Sequence, residues 1–388
     1  MTTNSLMIKE KQFKKIAITI KTTNACNMRC KHCYHALVGY DNIFLDIEKA
    51  KQIIDLAIAD GYTIIDVLYM GGEPTLWGLN NFISFLRYQD LLKQTKSIIF
   101  KNTLQTNGLL LDNNWFLMLK ENNFNLGISF DGNHNDVLRE KSEVVFSNIN
   151  NLKKNQLNFR LLCVETSKTI DNLIDTYRWF NSCGLDFKIL PLFISGEASK
   201  HLELELDPDK YVDNFMKAYK FWIYDLNCNI DVSTFREVLS LREQTICNHR
   251  GATCVNNRIS ISPTGDIYPC GRPYTDDFNL GHIDSFASIS EIFNSVKYKR
   301  LVEIYNQRLK KCSGCEVFSS CLGGCISDAI LEGYYSEPNN PYCIRTKKMI
   351  LALYDFNKNL YEKIRNDEKL LDYINPRVAK ILKHVCIK

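Results

Sequence analysis

No stretch of this sequence reaches the roughly 18 consecutive apolar residues that a membrane-spanning helix needs. A secretory signal is also missing: Met1–Lys15 is polar and lysine-rich, with no apolar segment behind it. Charge of one sign is scarce. There are 48 basic residues against 44 acidic ones, and a net charge of +4 is too mild for a nucleic-acid footprint. Repeats and low-complexity segments are absent. These absences argue against membrane and nucleic-acid partners. What remains is a globular protein of 388 residues, 45% hydrophobic, long enough for two ordinary domains. Cysteine is the exception to this scarcity, with fifteen in the chain. Without a signal, close cysteine spacings point to metal or clusters rather than disulfides. The expectation is an oxygen-sensitive protein of the reducing cytoplasm.

The first half alternates strand and helix patterns. Strand-like runs are Lys15–Lys21, Thr63–Met70, Lys96–Leu104, Asn125–Phe130, Asn158–Val164 and Asp186–Leu192. They are short and apolar, as buried parallel strands are. Helical stretches lie between them: Asp46–Asp60, Leu79–Leu92, Asp112–Asn122 with Asp112 as N-cap, and Asp171–Cys183 stopped by Gly184. Six such units predict an α/β fold, either an open partial barrel or a doubly wound sheet. In both, ligands sit beyond the carboxyl ends of the strands. Asp207–Tyr224 reads as a helix with Pro208 at its first position, and its Phe215, Tyr219 and Trp222 as core. From about Cys247 to Cys343 the chain is loop-rich, and after Ile344 it turns helical.

The chemistry-bearing residues fall at the ends of the strand-like runs. After the first comes Cys26-x3-Cys30-x2-Cys33, three thiols within eight residues. Three thiolates on one loop hold three irons of a [4Fe–4S] cubane and leave the fourth iron open. Three sites of a zinc knuckle, completed by His32 or His35, are the alternative. After the second run comes Gly71-Gly72-Glu73-Pro74, in which two glycines permit close backbone approach and Glu73 offers an anion for an ammonium. After the third comes Leu104-Gln105-Thr106-Asn107-Gly108, readable as a plain Asn-Gly turn. After the fourth, Ser129 and Asp131 stand two apart, suited to hydroxyls or an amine. Further on, Cys254-x10-Gly265-x4-Cys270 precedes Cys312-x2-Cys315-x5-Cys321-x3-Cys325 and, after seventeen intervening residues, Cys343.

The first cysteine motif with its Gly-Gly-Glu-Pro resembles the radical S-adenosylmethionine (SAM) superfamily. The second series resembles the SPASM domain, the auxiliary-cluster extension of radical SAM enzymes that modify peptides. The resemblance covers roughly residues 15–345. It implies a partial (β/α)6 TIM-like barrel over residues 12–235, a loop-rich SPASM domain over 240–345, and a helical segment over 346–388. It implies SAM and three [4Fe–4S] clusters as cofactors. Cys26, Cys30 and Cys33 would hold the SAM-cleaving cluster. Cys312, Cys315, Cys321 and Cys343 would hold the outer auxiliary cluster. Cys254, Cys270 and Cys325 would hold the inner one, with Cys247 as fourth ligand. SAM would meet His32, Gly71, Gly72, Glu73, Pro74, Thr106, Asn107, Ser129, Asp131 and Arg139, the last in an Asn-Asp-x-x-Arg that departs from the family's His-Asp-x-x-Arg. Partners would be a peptide or protein substrate and an electron donor such as flavodoxin or ferredoxin.

The layout resembles the anaerobic sulfatase-maturating enzymes, with one departure. Those carry an aspartate, the base for formylglycine formation, directly after the cysteine equivalent to Cys270; here Gly271-Arg272-Pro273 follows. The resemblance therefore shifts toward maturases of ribosomal peptides that crosslink side chains. In such a reaction a 5′-deoxyadenosyl radical abstracts a side-chain hydrogen, a bond closes, and the surplus electron leaves through the auxiliary clusters. Candidate bases near Cys270 are Asp276, Asp277 and Tyr268. Only about fifteen residues precede the first strand, which leaves no room there for the leader-binding domain some maturases carry.

Overall fold

A computed structural model describes residues 14–35, 41–192, 194–240, 255–272, 275–331 and 340–386. The first half is a run of strand–helix units: β1 Lys14–Lys21, α1 Ile47–Ala59, β2 Tyr62–Met70, α2 Leu79–Lys96, β3 Ile99–Thr106, α3 Asn113–Glu121 and β4 Asn125–Ser129. A short α4, Asn135–Leu138, leads to α5 Ser142–Lys154, β5 Phe159–Glu165, α6 Leu173–Cys183 and β6 Phe187–Pro191. Then follow α7 Pro208–Tyr224, α8 Ser233–Ser240, β7 Arg258–Ile261, β8 Asp266–Tyr268 and β9 Gly281–His282. The chain ends with α9 Ile289–Asn294, α10 Val296–Cys312, α11 Phe318–Cys321, α12 Ile326–Leu331, α13 Pro341–Asn366 and α14 Pro376–Cys386.

Local chemistry sets several of these boundaries. Asp46, Asp112 and Asp207 accept hydrogen bonds from the first free backbone N–H groups of α1, α3 and α7. Gly184 ends α6 in the left-handed conformation, at φ 61°. One boundary differs from the pattern in the sequence. Lys96 belongs to α2 rather than opening β3, because the helix runs on until Ser97 turns left-handed at φ 54°.

Nine strands form one sheet in the order β6-β5-β4-β3-β2-β1-β7-β8-β9. The first six are parallel, with helices outside, and make the open TIM-like barrel. β7 adds to β1 in parallel, Ile18 opposite Ile259, and β8 and β9 follow antiparallel. The cysteine-rich half therefore shares a sheet with the barrel. Successive side chains alternate across each strand. Ile18, Val67, Ile128 and Leu161 face the helices and are fully buried. The opposite face carries Leu68, Thr103, Gln105, Ser129, Leu162 and Lys188, all half-buried. That face lines the open mouth, which is why it is more polar than a doubly covered sheet. Phe215, Tyr219 and Trp222 pack in the core as expected, and the Tyr219 hydroxyl donates to Asn357 on α13 at 2.9 Å.

At the end of β5, Glu165 turns toward the helices. It accepts from Thr169 Oγ1 at 2.6 Å and Cys163 Sγ at 3.4 Å. Burial pushes its carboxyl up to about 7 from 4.5. A raised carboxyl favours the protonated fold, so its contribution is present below the ordinary carboxylate range and lost as pH rises through about 7. Glu165→Gln is expected to flatten the fall in melting temperature across that window. An unchanged slope would refute the assignment.

Candidate active site

The cysteine loop leaves β1 at the carboxyl end of the sheet and is laced to the β2 loop by main-chain bonds. Thr22 N donates to Met70 O at 3.0 Å, Gly72 N to Thr23 O at 2.8 Å and Glu73 N to Ala25 O at 2.8 Å. A Cβ at Gly71 would lie 2.5 Å from Thr23 O, and one at Gly72 would lie 2.1 Å from Ala25 O. The two glycines thus admit the backbone of the cysteine loop itself. On the other side, Lys31 N donates to Leu138 O and Glu197 N to Cys33 O. The three thiols are held from several directions before any ligand arrives.

Glu73 is tied into the loops on either side of it. Its carboxylate accepts from Thr75 N at 3.0 Å, Thr75 Oγ1 at 2.6 Å, Thr106 Oγ1 at 2.7 Å and Asn107 N at 2.8 Å. Burial pushes the carboxyl up while these donors pull it down. Asn107 Nδ2 in turn donates to Asn27 Oδ1, inside the cysteine loop, at 2.7 Å. Glu73, Thr106 and Asn107 therefore form one network under the loop, and Pro74 opens the short turn that follows.

Ser129 and Asp131 part company. Ser129 Oγ accepts from Gln105 Nε2 at 3.1 Å on the lumen side. Asp131 is buried against Val164 N, at 2.8 Å, and Arg139 Nε, at 2.7 Å. The Arg139 guanidinium also lies near the Cys30 thiol, and its charge partly offsets the upward push of burial on that thiol. Burial pushes Cys26 up to about 12, and Cys30 and Cys33 add to the push. Three thiols close enough to oppose one another's ionisation suit a positively charged group that holds all three as thiolates, which is how iron takes cysteine. His32 is half-buried, and its Nδ1 has no hydrogen-bond partner among the described residues. Burial, then Arg139, holds its pKa well below the usual histidine value, so the ring is neutral.

Cys312, Cys315, Cys321 and Cys343 line one cavity of about 250 Å³, together with Arg308, Lys311 and Lys347. Four thiols around a cavity rimmed by cations fit an anionic cluster. Cys270 and Cys325 come together separately, each within electrostatic reach of the other. Cys247 and Cys254 lie outside the described residues, as does Pro273. Asp276 and Asp277 are exposed on a short turn, Asp276–Phe278. Tyr268 is buried in β8, its hydroxyl pushed up to about 12 by burial and the neighbouring Asp266 and Asp276. Among the described residues, no hydrogen bond joins Asp276 or Asp277 to the Cys270 thiol.

Other residues stand there instead. Ser327 Oγ is 3.1 Å from Cys270 Sγ, and Arg272 forms an ion pair with the buried Asp328. Lys21, at the end of β1, is fully buried within reach of Cys270. Burial holds its amine well below the ordinary lysine value, opposed by that cysteine. Tyr34 feels Arg272, Cys33, Cys270 and Asp328, so it stands between the first cysteine set and the inner pair. Asp328 gave no signal in sequence, because it follows Arg272 by 56 positions. Lys21 had one: a lysine closing an apolar strand directly before the cysteine motif.

Comparison with known proteins agrees with this geometry. Residues 20–201 match the radical SAM superfamily, and residues 253–316 match the SPASM iron–sulfur cluster-binding domain. The cysteine-type anaerobic sulfatase-maturating enzyme of Clostridium perfringens (strain ATCC 13124) is 28% identical over 336 residues, covering 80% of this chain and 88% of its own. The serine-type enzyme of Klebsiella aerogenes is 25% identical over 322 residues, covering 78% and 77%. Among solved structures, native anSMEcpe with bound AdoMet and Kp18Cys peptide superposes with a TM-score of 0.77 at 24% identity, over 89% of this chain and 98% of that one. Streptococcus suis SuiB bound to precursor peptide SuiA superposes at 0.60 with 17% identity, over 85% and 76%. The chain carries a radical SAM domain over residues 20–201 and a SPASM iron–sulfur cluster-binding domain over residues 253–316.

Proposed function

We propose that this enzyme oxidises a side chain of a peptide substrate by two electrons and joins it to a second side chain. The observation that carries the crosslinking reading is Gly271. A Cβ there would lie 2.9 Å from Thr19 Cγ2 and 3.1 Å from Met70 Sδ, at the mouth of the barrel. An acidic side chain directly after Cys270 would crowd both, and the chain carries none there, which disfavours the base expected of a sulfatase maturase. A peptide substrate is supported by the peptides bound in the solved anSMEcpe and SuiB structures.

A [4Fe–4S] cluster held by Cys26, Cys30 and Cys33 would, with SAM, supply the radical that abstracts hydrogen. The chain's own residues do the rest. Cys26, Cys30 and Cys33 hold the cluster, and Arg139 sets the charge beside Cys30. The network of Glu73, Thr106 and Asn107 fixes the loop. His32 offers a neutral ring for stacking, and Gly71, Gly72, Pro74, Ser129 and Asp131 shape the remaining wall of the SAM site. Cys270 and Cys325, with Cys254 and Cys247, would hold the inner auxiliary cluster, and the four cysteines of the cavity the outer one, giving three clusters in all. The proton leaves through a group near Cys270, where Asp328 and Lys21 are the buried ionisable side chains. We place the enzyme in the cytoplasm, served by a flavodoxin or ferredoxin; no described helix is long and apolar enough to cross a membrane.

Sulfatase maturation is the second reading. It is favoured by curated relatives that align over about four-fifths of the chain. One co-expression experiment separates the two. Co-expressed in turn with a small candidate peptide and with a Cys- or Ser-containing sulfatase peptide, the enzyme is expected to remove two hydrogens from the first and to leave both unlabelled by an aldehyde reagent. A product that the reagent labels would make the enzyme a formylglycine former.

A further inference from the structure

The inner wall of the open barrel changes character along its length. Near the carboxyl ends of the strands it is neutral, with Leu68, Met70, Gln105, Ser129 and Leu162 all half-buried. Toward the amino ends the same wall carries charge. The alternation that turns Thr103 and Gln105 inward also turns Lys101 inward on β3, and it gives Asp66 and Arg258 the matching face of β2 and β7. These residues fall in one row across the sheet: Arg258 opposite Ala17, Ala17 opposite Asp66, and Asp66 opposite Lys101. Most charges at this end are paired. Lys15 holds Asp66 at 2.7 Å, Arg160 and Arg236 share Asp231, Lys188 holds Glu237, and Asp186 accepts from Asp231 N. Lys101 and Arg258 have no ion-pair partner among the described residues. Arg258 Nε and Arg160 Nε are buried with no hydrogen-bond partner among the described residues. The same holds for the hydroxyl of Ser260, which is 0% exposed on the face of β7 that carries Arg258, and for Asp66 Oδ1. A charged run is usually only a solvated face. This one lines a concave wall that leads to the cysteine loop, and several of its polar atoms are buried and unused, which costs free energy.

We infer that this amino-end row, through Lys101 and Arg258, binds an acidic segment of the peptide substrate while another residue of the same peptide reacts at the cysteine end of the barrel. The inference deepens the proposed function and rests on its peptide substrate, not on which bond is formed. Ammonium and guanidinium groups take carboxylates through charge-assisted hydrogen bonds, and partial burial strengthens these relative to open water. The strand sets the register. Lys101 and Gln105 lie four positions apart on β3, roughly 13 Å at ~3.3 Å per residue. Thr106, the next residue, already belongs to the network under the cysteine loop. An extended peptide crosses that distance in about four residues. The acids are therefore expected about four to five residues from the side chain that is oxidised.

The test is calorimetric titration of the full-length holoenzyme, anaerobic, unreduced and with SAM present, using three synthetic peptides that alternate alanine with glutamate, glutamine or lysine. Heat of binding needs no turnover, so the result stands whether the natural peptide is crosslinked or converted to formylglycine. The Glu–Ala peptide is expected to bind about tenfold more tightly than Gln–Ala, and Lys–Ala more weakly than either. Lys101→Glu is expected to bring Glu–Ala down to the affinity of Gln–Ala. Adding Arg258→Gln should turn the preference toward Lys–Ala. Lys120→Glu, at an exposed site on α3, should change none of these affinities. Iron content and the visible spectrum report that each variant folds and holds its clusters. Equal affinity of the parent for Glu–Ala and Gln–Ala would overturn the inference. So would a preference that ignores Lys101→Glu or responds equally to Lys120→Glu. Tighter binding of Lys–Ala by the parent would also overturn it, and would give the row to a basic peptide held by Asp66. In a peptide that the enzyme does crosslink, neutralising the acids about four to five residues from the modified position should raise KM and spare kcat; an unchanged KM would overturn the register.

Discussion

Glu73→Gln is expected to abolish tight SAM binding and cost about 1–3 kcal/mol of stability, although the two side chains have nearly the same shape. The reason is which groups donate to it. Each carboxylate oxygen accepts one backbone N–H, from Thr75 on Oε1 and from Asn107 on Oε2. Backbone donors cannot turn. Whichever way a glutamine amide is flipped, its NH2 faces one of them, and a buried donor loses its acceptor. The hydroxyls of Thr75 and Thr106 rotate to accept instead, which spares part of the loss. What suffers is the joint between the β2 loop, the β3 loop and, through Asn107 and Asn27, the cysteine loop. Glu73→Ala leaves all four donors without their acceptor and should cost more. Denaturant unfolding of the cluster-free protein reads the stability term, and SAM cleavage by the reconstituted enzyme reads the catalytic one. A glutamine variant as stable as the parent would show that the network does not hold the loops.

How much of this was written locally in the sequence depends on range. Caps are local, so Asp112, the Asp207-Pro208 pair and Gly184 could be read directly, and the six strand–helix units with them. The cysteine motifs also carry their own spacing. Contacts made over long distances left no such mark. β7 is four residues, Arg258–Ile261, and nothing in it announces a parallel partnership with β1 some 240 positions earlier. The roles of charged residues near the site were the least legible. A carboxylate beside two glycines looks like a ligand for an ammonium, yet Glu73 is consumed by the fold. Asp276 and Asp277 lie close to Cys270 along the chain, yet a short turn carries them to the surface. Asp328 arrives from α12 because α12 follows Cys325, and Cys325 must meet Cys270. In sequence these acids look alike; in the fold Asp328 is buried while Asp276 and Asp277 are exposed.

Arg139→Met is expected to be the most damaging single change outside the cysteines, and its pairing with Asp131 can be tested as a cycle. The two side chains are only 8% and 1% exposed and 2.7 Å apart. Removing the guanidinium strands a carboxylate that has only the Val164 N–H left, and breaking a buried pair this way costs about 3–5 kcal/mol. Asp131→Leu leaves a buried guanidinium whose remaining described neighbour is the Cys30 thiol, and should cost a comparable amount. The double variant carries neither charge. If the pair serves stability alone, apolar replacement restores most of it, because taking both charges out of water was expensive in the first place. Function should not return. Arg139 also lies near Cys30, and its positive charge favours the thiolate that the cluster requires. The double variant is therefore expected to unfold at nearly the parental denaturant concentration while holding the SAM-cleaving cluster poorly. Arg139→Lys separates charge from geometry: an ammonium keeps the sign but not the fork that reaches Asp131 through both Nε and Nη2. Iron content, with the spectrum of the reduced cluster before and after SAM addition, reads that difference. A double variant with parental stability, a full cluster and normal SAM cleavage would reduce the pair to a structural ornament of the fourth loop.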